Sequence, residues 1–472
     1  MSEQLVSEVC SAGTTRCCPL WLRHFVLVIL LTGTVLTPAL PQERLRRVTL
    51  EQALEMFEEN NLELRLAMAE RDEARGFARQ AGTYPNPVFT WAHEGLSESD
   101  LDYSESYFTA SQRLEWPGRR GSRTESADQD AVAAEARAEA ARRRLLFEVK
   151  RAFLEAAAAE DQLAIIEEVR HVFRFAEESG RQRLREGDLS GYDVRRLRIE
   201  RARYENLAAS QTLAFRSAQL RFASLVVPDS LDRDQGGVVP AALPDGRPPV
   251  MHLDEEGALV SALEQRADAR SAEAEVAAAE AALRHVDTFR YPDLTVNGGY
   301  KRQSDGFDGL FLGASLPIPV FDRRQGDVDS AEARLRHRAA QLALTRRTVA
   351  ADVREALSTY LSYLERAELI QGRLLNGVDD LLRIAQVSYG EGEMSLLELL
   401  DAADAYRESQ TAVSEMTADL WIHYYDLERA MGGVLNPPAG AESPEGEPRG
   451  WGPAAVRGVL NPPAGAEYPG RE

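Results

Sequence analysis

The residues best able to do chemistry in this sequence are two acids, Glu398 and Asp401, three positions apart. On a helix, side chains at this spacing share one face. Carboxylates repeated around a pore would make negative rings that favour cations. Acids near a helix start can instead offset the positive end of the helix dipole. The spacing alone leaves both interpretations open.

Other reactive side chains form no recognisable site. The 7 histidines are scattered without the spacing of metal ligands, and neither a phosphate-binding glycine loop nor a nucleophile motif occurs. We therefore expect no enzyme activity, no cofactor and no metal site. A net charge of −21 argues against nucleic acid as a partner, because phosphates attract Lys and Arg.

A targeting segment is predicted at the start of the chain. Residues 25–36 form an apolar run behind Arg23 and His24, and small residues follow it. A membrane-spanning helix needs about 20 residues, so this run is too short to be one. We predict a secretory signal peptide over residues 1–39, with a long n-region. Its removal would leave no cysteine, since Cys10, Cys17 and Cys18 all precede the run.

The two acids follow a glycine break between two long helical patterns. Apolar residues such as Tyr360, Leu381 and Ala385 before the break, and Leu399 and Ala403 after it, recur at threes and fours. Sustained alternation of this kind predicts a coiled-coil hairpin. A second break of the same type occurs earlier in the chain. The predicted tips are Gly187, Asp188, Leu189 and Ser190, and Gly392, Glu393, Met394 and Ser395.

Four segments between the helical patterns alternate with a period of two. Their lengths are close to the about 9 to 11 residues that a tilted membrane strand needs. The predicted strands are Val88–Glu94, Ser106–Leu114, Leu294–Arg302 and Gly309–Pro317, and their large residues include Phe89, Trp91, Tyr107, Leu114, Val296, Tyr300, Leu310 and Leu312. Residues 95–105 are predicted to be an acidic hairpin loop. For either pair alone, an ordinary soluble hairpin remains an alternative.

The sequence also indicates a tandem duplication. Tyr84-Pro85-Asn86 returns as Tyr291-Pro292-Asp293, and Arg119-Arg120 as Arg323-Arg324, both about 205 residues later. The predicted divisions are a first repeat over 47–225, a connector over 226–254, a second repeat over 255–431 and a disordered Pro/Gly-rich tail over 432–472. The predicted fold is mainly α with a small β part, built from a helix-strand-strand-long hairpin unit that occurs twice.

Four membrane strands cannot close a barrel, and lipid tolerates no open sheet edge. Two copies of the chain would supply eight strands, whose interior is filled by side chains. Three copies would supply twelve and leave an aqueous lumen. We therefore expect a homotrimer embedded in lipid.

This order of elements resembles the TolC family of outer-membrane efflux factors over nearly all of residues 48–432. Residues 389–401 are similar to the second periplasmic tip of that family, and residues 115–120 and 317–326 to the strand-to-helix junctions of its cobalt-zinc-cadmium resistance branch. The resemblance implies a trimeric 12-stranded β-barrel in the outer membrane and a periplasmic coiled-coil tunnel. It also implies two partners, a periplasmic adaptor (membrane fusion protein) and an inner-membrane pump of the resistance-nodulation-division type.

The resemblance further implies roles for single residues. Tyr389 would help to latch the closed periplasmic end, Glu398 and Asp401 would form rings in the lumen, and the two tips would dock the adaptor. Met394 departs from the family archetype, which has a basic latch residue there. The function implied is an outer-membrane efflux channel, with metal cations favoured over drugs or type I secreted proteins. A periplasmic adaptor or structural coiled coil is the competing class, but it would not need two strand pairs.

Overall fold

The computed structural model describes residues 46–98, 101–227, 237–244, 246–249, 254–374 and 378–433. The predicted signal peptide lies outside these ranges. So does the predicted tail, apart from its first two residues.

Helices dominate the described part of the chain, where they occur in pairs on either side of short connections. They are α1 Leu50–Asn60, α2 Leu62–Ala81, α3 Arg119–Glu186, α4 Gly191–Val226, α5 Glu255–Gln265, α6 Ala267–Asp287, α7 Gln325–Leu374, α8 Val378–Glu391 and α9 Leu396–Met431. None of these helices combines the length and the hydropathy needed to cross a membrane.

The strands form two separate sheets. The strands are β1 Arg46–Val48, β2 Val88–Glu98, β3 Leu101–Leu114, β4 Val238–Pro240, β5 Leu294–Gln303 and β6 Asp308–Ser315. The larger sheet has the order β2-β3-β5-β6 and is antiparallel throughout. The smaller sheet pairs β1 with β4 in parallel. Sequence reasoning missed this second sheet, because it predicted no strand at the start of the first repeat and placed β4 in the connector.

The acidic loop predicted over residues 95–105 is wrong. β2 continues to Glu98 and β3 already begins at Leu101, so most of that stretch is paired strand. Leu96 lies opposite Tyr103, which continues the alternation of side chains. At the other edge the predicted fourth strand is too long. It ends at Ser315, before Pro317, and proline has no N–H to donate to a ladder.

Helix α3 spans 68 residues. It ends because Gly187 adopts a φ of 91°, which glycine tolerates without strain. Ser190 then begins α4 by accepting a hydrogen bond from the backbone N–H of Asp193 at 3.2 Å. The second tip repeats this arrangement at Gly392 and Ser395.

Three apolar clusters hold the helices together, and small alanines let the helices approach closely. The cluster nearest the tips joins α3 and α4 to α8 and α9, with Phe173 stacked on Tyr204 at 5.0 Å between ring centroids. Fully burying one large apolar side chain contributes about 1.5–3 kcal/mol. The predicted seam position Leu381 is wrong, because its side chain is exposed. Leu382 is buried instead, because it continues the spacing of Ala385 and Tyr389.

The two repeats differ where strands become helices. Helix α3 begins at Arg119, whereas α7 begins at Gln325, after the arginine pair predicted to match Arg119 and Arg120. Arg324 precedes α7 with a φ of 61°, and Gly118 precedes α3 with a φ of 90°. The second junction is therefore two residues longer than the sequence repeat suggests.

Candidate functional site: an amphipathic sheet and two hairpin tips

The large sheet has one apolar face. Trp91, Phe108, Tyr300 and Leu310 lie opposite one another across all four strands, so their side chains point to the same side. Leu310 is 88% exposed in the single chain. Of the predicted strand residues, seven have this parity: Phe89, Trp91, Leu114, Val296, Tyr300, Leu310 and Leu312.

The opposite face of the sheet is mainly polar. Tyr107, the eighth predicted strand residue, lies on this face opposite Lys301. Glu105 accepts hydrogen bonds from the hydroxyls of Tyr103 and Tyr107 and pairs with Lys301 at 2.9 Å. Sequence reasoning missed this cluster because it assigned Glu105 to a loop. One apolar and one polar face are what a strand wall between lipid and a water-filled lumen requires.

A buried ion pair fixes the joint between the sheet and α3. Asp293 is 7% exposed and accepts hydrogen bonds from Arg113 at 2.8 Å and from the backbone N–H of Trp116 at 2.9 Å. Arg119, also buried, pairs with the same carboxylate. Burial alone would raise the pKa of Asp293, but these donors and charges hold it below its usual value. The two repeats therefore meet through a polar joint with a buried, paired carboxylate.

The two hairpin tips touch each other through Arg183 and Tyr389. The Arg183 guanidinium donates to the Tyr389 carbonyl at 3.1 Å and lies 5.6 Å from the centroid of its ring. The Tyr389 side chain is 1% exposed, and its hydroxyl has no hydrogen-bond partner among the described residues. Burial raises the pKa of this phenol. The predicted latch role of Tyr389 stays a prediction, since its side chain lies inside the helix packing of the single chain.

The second tip has Met394 where the family archetype has a basic residue. Arg183 of the first hairpin nevertheless places a cation beside this tip. Met394 packs against the apolar cluster near the tips. Arg183 comes from the first hairpin, and its NH2 atom would lie 3.2 Å from a Cβ added at Gly392. Nothing in the sequence pattern distinguishes Arg183 from the other arginines of α3. The contact depends on how the two hairpins pack.

Glu398 and Asp401 are both exposed and lie on the first turns of α9. The Glu398 carboxylate accepts hydrogen bonds from the Ser395 backbone N–H at 2.8 Å and from its hydroxyl at 2.7 Å. The Glu398 backbone N–H donates back to the Ser395 hydroxyl oxygen at 3.4 Å, which completes a capping box. The hydrogen bonds to the carboxylate lower the pKa of Glu398. Glu398 thus serves as a helix cap in the single chain. A place for either acid in a ring stays a prediction.

Long helical hairpins joined to a sheet with one apolar and one polar face define a strand-anchored membrane channel protein. The family model described as "Outer membrane efflux protein" matches residues 53–224 and 258–433. The chain therefore belongs to the outer membrane efflux protein family, which confirms the resemblance predicted from the sequence. As a member of this family it is an outer-membrane efflux channel component with a periplasmic portion.

Relatives and solved structures agree with this placement. The chain is 26% identical over 383 residues to the cobalt-zinc-cadmium resistance protein CzcC of Cupriavidus metallidurans, covering 79% of this chain and 87% of that protein. It is 28% identical over 349 residues to outer membrane protein OprJ of Pseudomonas aeruginosa, covering 71% of each. A membrane protein structure from Pseudomonas aeruginosa shares the fold with a TM-score of 0.69, at 22% identity over 81% of this chain and 90% of that one.

Proposed function

We propose that three copies of this chain form the outer-membrane channel of a tripartite exporter. The observation that carries the proposal is the four-stranded sheet, which has an apolar face and ends at the unpaired edges of β2 and β6. An open edge in lipid leaves backbone groups without partners at a cost of several kcal/mol each. Three copies close twelve strands around a lumen lined by the polar face.

Metal cations are the favoured substrate. Support comes from the relative named for cobalt, zinc and cadmium resistance and from the exposed carboxylates of Glu398 and Asp401 beside the second tip. Drug efflux and type I protein secretion are the alternative roles for the same channel. We expect no enzyme activity, because the work proposed for the chain is passive conduction.

The proposed partners are a periplasmic adaptor and an inner-membrane pump of the resistance-nodulation-division type. The tips are turns between rigid helices, and such turns often carry recognition. Six of the eight tip residues are exposed: Gly187, Asp188, Ser190, Gly392, Glu393 and Ser395. Replacing Leu189 and Ser190 together, or Ser395 and Leu396 together, should abolish export while the trimer stays in the membrane. Normal export by both variants would contradict the docking role.

Two measurements test the channel proposal: the mass of the purified oligomer and the accumulation of metal in cells that lack the protein. The chain purified from outer membranes in detergent should have the mass of a trimer, and envelopes should retain it after washing with salt and alkali. A deletion strain should accumulate cobalt, zinc or cadmium and recover on complementation. A stable monomer or dimer would contradict the trimer. A trimer without any effect on metal accumulation would contradict the substrate and leave the channel in place.

A further inference from the structure

The duplication within the chain supplies a template for the contact between copies. The β2–β3 pair sets Val88 opposite Ser111, and the β5–β6 pair sets Thr295 opposite Ser315. Val88 and Thr295 each follow the tyrosine of a Tyr-Pro motif by four residues. β2 therefore corresponds to β5, and β3 to β6. The β3–β5 contact inside one chain is the equivalent of a β6–β2 contact between two copies.

We propose that β6 pairs with β2 of the neighbouring copy in the register of β3 and β5, and that residues 316–321 pack on its Tyr84. This inference rests on the proposed trimer. Within the chain Ser111 lies opposite Asn297, two residues beyond Thr295. The transferred register places Ser315 opposite Thr90 of the next copy, two residues beyond Val88.

This register keeps the two faces of the sheet continuous. Thr90 and Ser315 both have the parity of the polar face. On the apolar side, Ala314 falls opposite Trp91 and Leu316 opposite Phe89 of the next copy. A slip by one residue would set apolar side chains against the lumen, since side chains alternate along a strand.

The joint beside the strands differs between the two kinds of contact. Inside the chain, Trp116 stacks on Tyr291 with ring centroids 4.7 Å apart, next to the buried pairs of Asp293. At the equivalent position of the first repeat the carboxylate is replaced by Asn86, which is exposed. An ion pair like that of Asp293 cannot form there.

Apolar side chains are available in its place. Tyr84 is 70% exposed, and Arg120 lies 4.2 Å from its ring centroid. Residues 316–321, the longer junction of the second repeat, carry exposed Ile318 and Val320, and Phe321 is 92% exposed. The exposed apolar side chains of residues 316–321 lie next to the unpaired edge of β6. They fit a second copy of the same chain, which presents its exposed Tyr84 next to the unpaired edge of β2.

Cysteine cross-linking in native membranes tests the register. The variant Thr90→Cys with Ser315→Cys should form disulfide-linked oligomers on oxidation, since directly opposite strand residues lie within disulfide range. The matched control Thr90→Cys with Leu316→Cys is slipped by one residue and points to opposite faces. We expect on the order of tenfold less cross-linked product from the control. The native cysteines do not interfere, because they lie in the predicted signal peptide.

The apolar joint is tested by trimer dissociation on heating in detergent. Phe321→Ser should lower the dissociation temperature. The control Phe307→Ser, which changes a 71% exposed phenylalanine in the β5–β6 turn, should not. A trimer that cross-links only through the slipped pair, or in which both serine variants behave as wild type, overturns this inference but not the channel. A chain that never forms a trimer overturns both.

Discussion

Replacing Glu177 by glutamine should loosen the first hairpin near its tip. Glu177 is 2% exposed and contacts arginines on both arms: Arg181 on α3, and Arg198 at 3.3 Å and Arg201 at 3.0 Å on α4. Hydrogen bonds to a charged group contribute about 1.5–3 kcal/mol. The arginines can turn to water, so we expect a loss of about 1–2 kcal/mol in the local opening free energy, roughly a tenfold change in protection.

The loss should depend on pH in a defined direction. Burial alone would raise the pKa of Glu177, but the hydrogen bonds from Arg201 and Arg198 and the charge of Arg181 hold it below its usual 4.5. A lowered pKa in the folded state stabilises the fold above the unfolded pKa, and this stabilisation is lost as pH falls through the folded value. The difference between wild type and Glu177→Gln should therefore be full at neutral pH and shrink below about pH 4.5.

Hydrogen exchange followed by mass spectrometry on the detergent-solubilised trimer measures this opening. Backbone amides on both arms around Glu177 should exchange faster in Glu177→Gln. The matched control is Glu178→Gln, because Glu178 is the adjacent residue of the same helix and is exposed. Equal exchange in the two variants, or a difference that persists at acidic pH, would refute the ionic stabilisation.

Three further outcomes are expected. Asp401→Asn should reduce cation selectivity and block by multivalent cations in planar-bilayer recordings. Glu398→Gln should do the same, and it should keep the capping box because glutamine can also form one. Unchanged recordings from the double variant would show that both acids are only helix-start charges. Glu398→Ala should in addition speed hydrogen exchange in the first turn of α9, because losing the capping box costs about 1 kcal/mol of helix stability. Gly299→Ala should reduce the yield of folded trimer, because an added Cβ would lie 2.2 Å from the Phe108 carbonyl oxygen. A normal yield would show that the backbone of the sheet can shift at this position.

The long elements were predictable because their signals are periodic and local. The end of α3 and the positions of both tips follow from apolar spacing, glycine and capping serine. The β1–β4 sheet was not predictable, since two strands of 3 residues carry almost no pattern. Strand ends failed for a related reason: the acidic residues near Glu105 suggested a loop, whereas a polar lumen face allows them within a strand.

Contacts that join distant segments were beyond the sequence for another reason. Asp293, Arg183 and Glu177 are common residue types, and each gains its role from partners on another element. Without an observed packing of the hairpins, no spacing rule connects Arg183 to Tyr389. The departure at Met394 indicated only that the basic latch residue of the family archetype was absent there.

The apolar face of the sheet also constrains how the protein reaches its site. A newly exported copy crosses an aqueous compartment with the side chains of Phe89, Trp91, Leu310 and Leu312 exposed. Its sheet also has two unpaired edge strands, which can pair with strands of other chains. Such a copy is prone to stick to any other unfolded strand it meets. If the proposed trimer forms, these strands must stay shielded or unpaired until the membrane and two further copies are available, which would couple insertion to assembly.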